Sequence, residues 1–323
     1  MTDWKGKKIL VNGVSGFMGS NLAREMLKKG AIIYSIDNFS YIDLDIAKKK
    51  LDFLNKVNLI NGDVSKEETW NIVPKDIEYI FHFAGPSSIT LFKRYPKKCY
   101  HETVFGLYNV LEFAKKNGVK KVVYPSTGSL YAGSEMPHRE DLYPKGFNIY
   151  AAAKVACEAL ANSYSNDVKS VGLRIFAGYG PGEEWKRDFG SIIYLFIRDI
   201  MENKKPVIYG DGNQTRDFVH IEDVIKAIIR AAEIEHGGII NVGTGESVSF
   251  NEILRIVNKL LNTNAEAEYI KKETNYVEDL EADTFRMRKI LGIKPMNPEE
   301  GIRKFVEYLL EENKKVNTQF VKI

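Results

Sequence analysis

Cysteine is nearly absent. Two residues, Cys99 and Cys157, in a chain of 323 are too few for a disulfide framework and predict reduced thiols. The five histidines (82, 101, 138, 220 and 236) show neither a zinc pairing nor a helical His-Glu-x-x-His, so no metal centre is expected. No apolar run approaches membrane-spanning length, and the opening Met1-Thr-Asp-Trp-Lys5 carries no apolar signal segment, which predicts a cytoplasmic protein. An excess of one charge is missing too. Lys+Arg of 46 against Asp+Glu of 43 leaves a net +3, and the basic residues are scattered. This excludes a broad nucleic-acid or membrane surface while leaving local cations for an anionic small molecule. Internal repeats and low-complexity tracts are lacking. With 44% hydrophobic and 28% charged residues, the chain has the composition of a globular protein and the length for one large domain or two ordinary ones.

The most informative stretch runs from Tyr124 to Lys154. It joins a buried-strand pattern (Val122-Val123-Tyr124), a polar turn (Ser126-Thr127-Gly128-Ser129) and a helix opening Tyr150-Ala-Ala-Ala-Lys154. Residues four apart share a helix face, so the Lys154 ammonium is expected beside the Tyr150 phenol. A cation there favours phenolate and equips Tyr150 for proton transfer near neutral pH. The plain alternative is an amphipathic face. Among the 17 tyrosines, however, Tyr150 alone has Lys four residues on.

Upstream, Lys8 to Val11 is a β-rich run leading into Asn12-Gly13-Val-Ser-Gly16-Phe17-Met18-Gly19 and a helical pattern that stops at Gly30. Strand, glycine turn and helix follow in the order a dinucleotide site requires. The glycines allow a tight turn and close approach of a pyrophosphate, and the helix N-terminus offers N–H groups and partial positive charge. The second strand, Ala31 to Ile36, ends at Asp37, in the window where a carboxylate accepts from an adenosine ribose hydroxyl and repels a 2′-phosphate. NAD is therefore favoured over NADP. The alternative for Asp37 is a solvated turn residue.

Val57 to Ile60 and Ile77 to Phe83 read as further buried strands. Asp63-Val64 is placed at the adenine edge, and Phe83-Ala84-Gly85 beside the nicotinamide ribose. Ser87 and Ser88 either offer hydroxyls to substrate or cap the next turn. From Pro96 to Asn117, apolar positions at helical spacing form a core or dimer stripe, closed by Gly118. Strands at Val119–Tyr124 and Ser170–Phe176 bring the strand patterns to six. Strands alternating with helices predict a doubly wound parallel α/β Rossmann sheet over residues 1–176. Residues 177–323 read as a smaller mixed α/β substrate domain, with some elements of 214–245 returning to the first. Within it lie the stretch Gln214-Thr-Arg216-Asp217-Phe, a capping box Ser249-x-x-Glu252 and a helix start at Asn297-Pro298. The tail from Thr318 to Ile323 carries no signal.

Gly13-x-x-Gly16-x-x-Gly19, Asp37-Asn38, Asp63-Val64, Ser126-Thr127 with Tyr131, Tyr150-x-x-x-Lys154, Leu173-Arg-Ile-Phe176 with Tyr179-Gly-Pro181, and Gln214-Thr-Arg216-Asp217-Phe together resemble the extended short-chain dehydrogenase/reductases. Within that family the likeness is to the nucleotide-sugar epimerase and dehydratase branch. It runs from about Lys7 to Val248. The resemblance implies Tyr150 as base, Lys154 as the group lowering its pKa and holding the nicotinamide ribose, and Thr127 bonding the reacting sugar hydroxyl. It also implies Arg216 at the diphosphate of a nucleoside-diphosphate sugar; the alternative for Arg216 is a salt bridge to Asp217 or Asp223. A homodimer through the Pro96–Asn117 and Tyr150–Tyr164 helices is implied as well.

The branch oxidises the sugar at C4 to a ketone. The 4,6-dehydratases it resembles place Asp-Glu after the Thr, and the decarboxylases a Glu at the Ser129 position. This chain has Gly128-Ser129, which resembles the small pair of the 4-epimerases and puts Ser129 beside the substrate. Ala177 departs from that pattern, where the 4-epimerases have Asn. A net 4-dehydrogenase or 4-keto reductase is therefore the alternative reaction, and a non-catalytic NAD-bound sensor the alternative class.

Overall fold

The structure is a computed structural model that describes residues 2–40, 42, 44–272 and 277–320. The first part alternates strands and helices: β1 (Lys8–Asn12), α1 (Phe17–Lys28), β2 (Ile32–Asp37), α2 (Leu44–Lys50), β3 (Asn58–Asn61), β4 (Tyr79–His82), α3 (Ile89–Arg94), α4 (Pro96–Asn117), β5 (Lys121–Thr127), α5 (Ile149–Ser163) and β6 (Ser170–Ile175). Then follow β7 (Ala177–Tyr179), α6 (Ile192–Met201), β8 (Val207–Tyr209), β9 (Thr215–His220), α7 (Ile221–Glu233), β10 (Gly238–Val242), β11 (Ser247–Ser249), α8 (Phe250–Leu261), β12 (Glu268–Ile270), β13 (Asp279–Leu280) and α9 (Pro298–Phe320).

Seven strands form one parallel sheet in the order β10-β6-β5-β4-β1-β2-β3. Its central strands β1, β4, β5 and β6 are buried on both faces, so they carry near-continuous apolar runs, as in the buried Val122, Val123 and Tyr124 of β5. One face packs on α1 and α7 through residues such as Leu22, Met26, Val224 and Ile228. The other packs on α4 and α5 through Leu107, Val110, Leu111, Cys157 and Ala161. The strand order reverses direction between β1 and β4, which opens a crevice beyond their carboxyl ends. The doubly wound α/β class is the observed one.

A second apolar cluster holds Tyr179, Phe196, Phe218, Phe250, Ile253 and Phe305. Around it β9 pairs with β11, β13 and β7, and β8 pairs with β12. Local punctuation follows the chemistry. Gly118 ends α4 in the left-handed conformation at φ 65°. Ser249 Oγ accepts from Glu252 N at 3.1 Å, and Asn297 Oδ1 accepts from Glu300 N at 2.9 Å. Among the described residues, no helix is long and apolar enough to cross a membrane, and none of their His, Cys, Asp and Glu side chains groups into a cation site. Of the signal-free tail, residues 321–323 lie outside the described residues.

Candidate active site

The glycine turn is built from backbone contact. Gly13 adopts φ 79°, and a Cβ there would stand 2.8 Å from the backbone of Ala84, so the turn rests on the exit of β4. Phe83 N donates to the Asn12 carbonyl at 3.0 Å, closing the same seam. A Cβ on Gly19 would lie 2.0 Å from the Gly13 carbonyl oxygen, which places the first turn of α1, with Phe17 and Met18, directly on the loop. Gly16 is the N-cap of α1, with no side-chain cap and no acidic residue in the first helical turn. The N–H groups of that first turn carry the partial positive charge of the helix dipole.

Asp37 is 6% exposed, so it is no solvated turn residue. Its Oδ2 accepts from Ser15 N and Ser15 Oγ, both at 2.8 Å, and Oδ1 accepts from Phe39 N at 2.9 Å. A carboxylate has about four acceptor sites, so one remains for a ribose hydroxyl. Asn38 caps its own turn by accepting from Ser40 N at 3.1 Å. Asp63 Oδ1 accepts from Ser65 N at 2.9 Å and Ser65 Oγ at 2.8 Å. The Val64 carbonyl is held by Trp70 Nε1 at 2.9 Å and Asn109 Nδ2 at 3.0 Å. A turn with no room for a Cβ at Gly13 or Gly19, an uncapped helix N-terminus and a fixed carboxylate at the end of β2 together fit NAD.

Thr127 ends β5, and α5 starts under an Asn148 cap whose Oδ1 accepts from Ala151 N at 2.9 Å. This sets the Tyr150 phenol beside Thr127, whose side chain acts to lower the phenol's pKa. Phe92 packs edge-on against the Tyr150 ring, centroids 5.3 Å apart. Lys154 Nζ lies 5.9 Å from the Tyr150 ring centroid and donates to the Pro125 carbonyl at 3.1 Å. It lines a small cavity with His82, Ala84, Gly85 and Thr103. Burial pushes His82 down to about 3, with the Lys154 charge adding to the effect, so its imidazole is neutral.

One electrostatic expectation is corrected. Burial raises the Tyr150 phenol above its ordinary value, and the hydrogen bond to Thr127 is what opposes it. Lys154 is itself lowered by burial, against the charges of Cys157 and Glu158. Burial is the largest cause of the upward shift of the Tyr150 phenol, and the Lys154 ammonium donates to the Pro125 carbonyl.

Gly128 follows Thr127 with no room for a side chain: a Cβ there would stand 2.9 Å from the ring of Phe176, itself buried against Tyr131 and His138. Ser129 donates its N–H to Thr127 Oγ1 at 3.2 Å. Ser88 caps α3, accepting from Thr90 N at 3.2 Å, while Ser87 beside it is exposed. Arg216 lies on β9 in the smaller sheet. Its Nη1 donates to the carbonyls of Thr215 and Glu278 at 2.8 Å, and its Nη2 to that of Val277 at 2.6 Å. Asp217 faces the other way, as strand alternation requires, and accepts from Thr244 N, Thr244 Oγ1, Gly245 N and Ala282 N. Asp223 engages Lys226 and Met296 N.

Sequence reading gave no role to Glu158, Asn241 or Arg174, the last quoted only within Leu173-Arg-Ile-Phe176. Arg174 donates from Nε and Nη2 to the two oxygens of Glu158 at 2.8 and 2.7 Å, and Ser126 Oγ donates to the same carboxylate at 2.5 Å. Arg174 Nη1 reaches Tyr131 Oη at 2.6 Å, which donates to Asn241 Oδ1 at 2.8 Å. The signals were present: a lone cation inside the apolar run Val171 to Phe176, and an acid one helical turn past Lys154.

Known proteins share this fold and sequence. The model of the NAD dependent epimerase/dehydratase family matches residues 9–243. A UDP-glucuronate 4-epimerase of Thermodesulfobacterium geofontis is 32% identical over 320 residues, covering 94% of this chain and 96% of the relative. Among solved structures, a UDP-N-acetylglucosamine 4-epimerase from Methanobrevibacter ruminantium M1 superposes with a TM-score of 0.88 at 27% identity, covering 95% of this chain and 99% of that one. A UDP-glucuronic acid 4-epimerase from Bacillus cereus, in complex with UDP-glucuronic acid and NAD, gives 0.84 at 25%, covering 94% and 99%. With its glycine turn, Asp37 and the Thr127, Tyr150 and Lys154 side chains gathered at the carboxyl ends of one parallel sheet, the chain belongs to the NAD dependent epimerase/dehydratase family.

Proposed function

We propose that this protein is an NAD-dependent 4-epimerase of a nucleoside-diphosphate sugar, most fittingly a UDP-sugar, acting through a 4-keto intermediate. The observation that carries the reading is the Thr127 and Tyr150 pair at the end of β5, followed by Gly128 pressed against Phe176. NAD, when bound in the glycine cradle, supplies the acceptor and donor of hydride at C4, and return to the opposite face of the ketone inverts the centre. Tyr150 takes the proton from the C4 hydroxyl and gives it back. Thr127 orients that hydroxyl, and Lys154 holds the nicotinamide ribose in the cavity it shares with Ala84 and Gly85. Elimination of water needs a further acid and base, and position 128 has space for neither. Asp37 and Asp63 serve the adenosine half, and Ser87, Ser88 and Ser129 border the sugar.

Arg216 is proposed at the diphosphate, where a planar guanidinium matches phosphate oxygens. Its relatives are named for UDP-sugars, which supports uridine as the base. Incubation with UDP-, GDP-, dTDP- and CDP-sugars, followed by nicotinamide absorbance and product NMR, should show redox-neutral inversion at C4 for a UDP-sugar. Accumulated NADH with a released ketone would make the enzyme a net dehydrogenase, and silence across the panel would leave a non-catalytic NAD-binding protein. In the same assay Arg216→Met should raise KM about tenfold or more with kcat little changed, as expected for lost uniform binding.

The proposed assembly is a homodimer through α4 and α5. A stripe on α4 carries His101 stacked on Phe105 at 4.6 Å and Phe105 against Tyr108 at 6.4 Å, with Phe105 still 49% exposed. It continues to Glu112, which accepts from Tyr164 Oη next to α5. Aromatics of this kind are enriched at subunit contacts. Sedimentation should give a dimer mass for the native chain and a monomer for Phe105→Glu; a native monomer would refute the assembly.

A further inference from the structure

The buried Glu158 and Arg174 pair lies outside the roles assigned above. Its side chains are 8% and 3% exposed. Withdrawing two charges from water carries a desolvation cost that their attraction seldom exceeds, and apolar residues of similar size commonly stabilise a fold as well or better. Stability alone therefore gives little reason for an ion pair at this place. Geometry does. Glu158 is on α5, one helical turn past Lys154 and two past Tyr150, so the three share a face. Both carboxylate oxygens are occupied, by Arg174 of β6 and by Ser126 of β5, and Ser126 immediately precedes Thr127.

The guanidinium extends the connection. Its third contact is Tyr131 Oη, at the close of the turn Gly128–Tyr131, and Tyr131 passes the link to Asn241 of β10. Asn241 Nδ2 donates in turn to the His138 carbonyl at 2.8 Å, in the loop between Thr127 and α5. One buried network thus touches the strand that presents Thr127, the helix that presents Tyr150 and Lys154, and the loop joining them. Apolar packing tolerates sliding of a helix along a sheet by fractions of a turn. A bidentate fork with all its partners fixed does not.

We propose that Glu158 and Arg174 are positioning residues that set the axial placement of α5, and with it the Tyr150 phenol, against Thr127. The proposal rests on the roles given to Tyr150 and Thr127 above. A misplacement of about 1 Å costs about 10²-fold in rate for well-oriented groups, which makes an otherwise costly pair consequential.

The test is the apolar replacement Glu158→Leu/Arg174→Met, which removes both charges together. It should stay folded, with a melting temperature within a few degrees of the native protein or above it, and with NAD affinity and sugar-nucleotide KM within about threefold. Its kcat should fall about 10²-fold. Adding the pair replacement to Tyr150→Phe should cost almost nothing further, because groups acting as one unit are non-additive. A purely structural pair would lose the same factor in both backgrounds. Unchanged kcat, or equal losses with and without Tyr150, overturns the proposal.

Should the double replacement not fold, Arg174→Lys, which keeps the charge but not the fork, takes its place: the same fall in kcat is expected, and the same two results overturn the proposal. A crystal structure of the folded variant decides independently of turnover: the Tyr150 Oη to Thr127 Oγ1 separation should change by about 1 Å, and an unchanged separation overturns the inference. If the native protein is silent on every sugar nucleotide, the proposed reaction fails, and the crystallographic comparison alone decides the positioning.

Discussion

Tyr150→Phe is expected to lower kcat by about 10²- to 10⁴-fold, the range for loss of a positioned acid-base group, while leaving NAD affinity and sugar-nucleotide KM within about threefold. The ring that remains keeps its edge contact with Phe92, so folding is undisturbed and only the hydroxyl is lost. In the proposed mechanism the hydroxyl matters in both directions, because the proton it takes from the C4 oxygen is the one it returns after inversion. Burial holds this phenol above its ordinary pKa, with the Thr127 hydrogen bond opposing. A phenolate there is costly because the site is buried. Rapid-quench measurement with saturating sugar nucleotide, alongside calorimetric titration of NAD, checks the split between kcat and binding. Turnover within about threefold of native would remove Tyr150 from the chemistry.

Gly19→Ala should abolish measurable NAD binding and lower stability by about 1–3 kcal/mol, the usual cost of overpacking. The methyl would sit 2.0 Å from the Gly13 carbonyl oxygen. Neither atom can yield by rotating a side chain, because the oxygen belongs to backbone and the methyl is fixed to it. α1 must move off the turn, and the N–H groups proposed to meet a pyrophosphate move with it. Gly16→Ala is the internal control. Its Cβ would be 3.3 Å from the same oxygen, and Gly16 has φ −77°, which any residue adopts, so a much smaller loss is expected. Calorimetric NAD titration and thermal melts of the two variants provide the comparison. Near-native NAD affinity in Gly19→Ala would show that the pyrophosphate does not use this turn.

Much of the fold was legible because its signals are short-range. The Lys8–Val11 run, the glycine turn and the helix to Lys28 follow one another directly along the chain. Gly118 at the end of α4 and the caps at Ser249 and Asn297 are equally local. A period of two or of 3.6 and a residue suited to a special backbone angle are properties of neighbours along the chain. The pairing of Tyr150 with Lys154 was readable for the same reason. Asp37 was placed at the end of β2 by counting from the glycines, and its burial follows from the strand order.

The remainder depended on contacts between residues far apart in sequence. Arg174 meets Tyr131 across 43 positions and Tyr131 meets Asn241 across 110, and no local pattern encodes such a partner. Gly128 reads as a small residue in the sequence; the ring of Phe176 makes it a position where no side chain fits. Arg216 carries the same charge in either description, yet its carbonyl partners at 277 and 278 lie 61 and 62 residues further along the chain. The sequence by itself determined the parallel α/β class, the glycine turn ahead of α1 and the helical spacing of Tyr150 and Lys154. Only the tertiary structure decided how those groups titrate and what holds them in place, because desolvation and buried ion pairing are set by everything packed around a side chain.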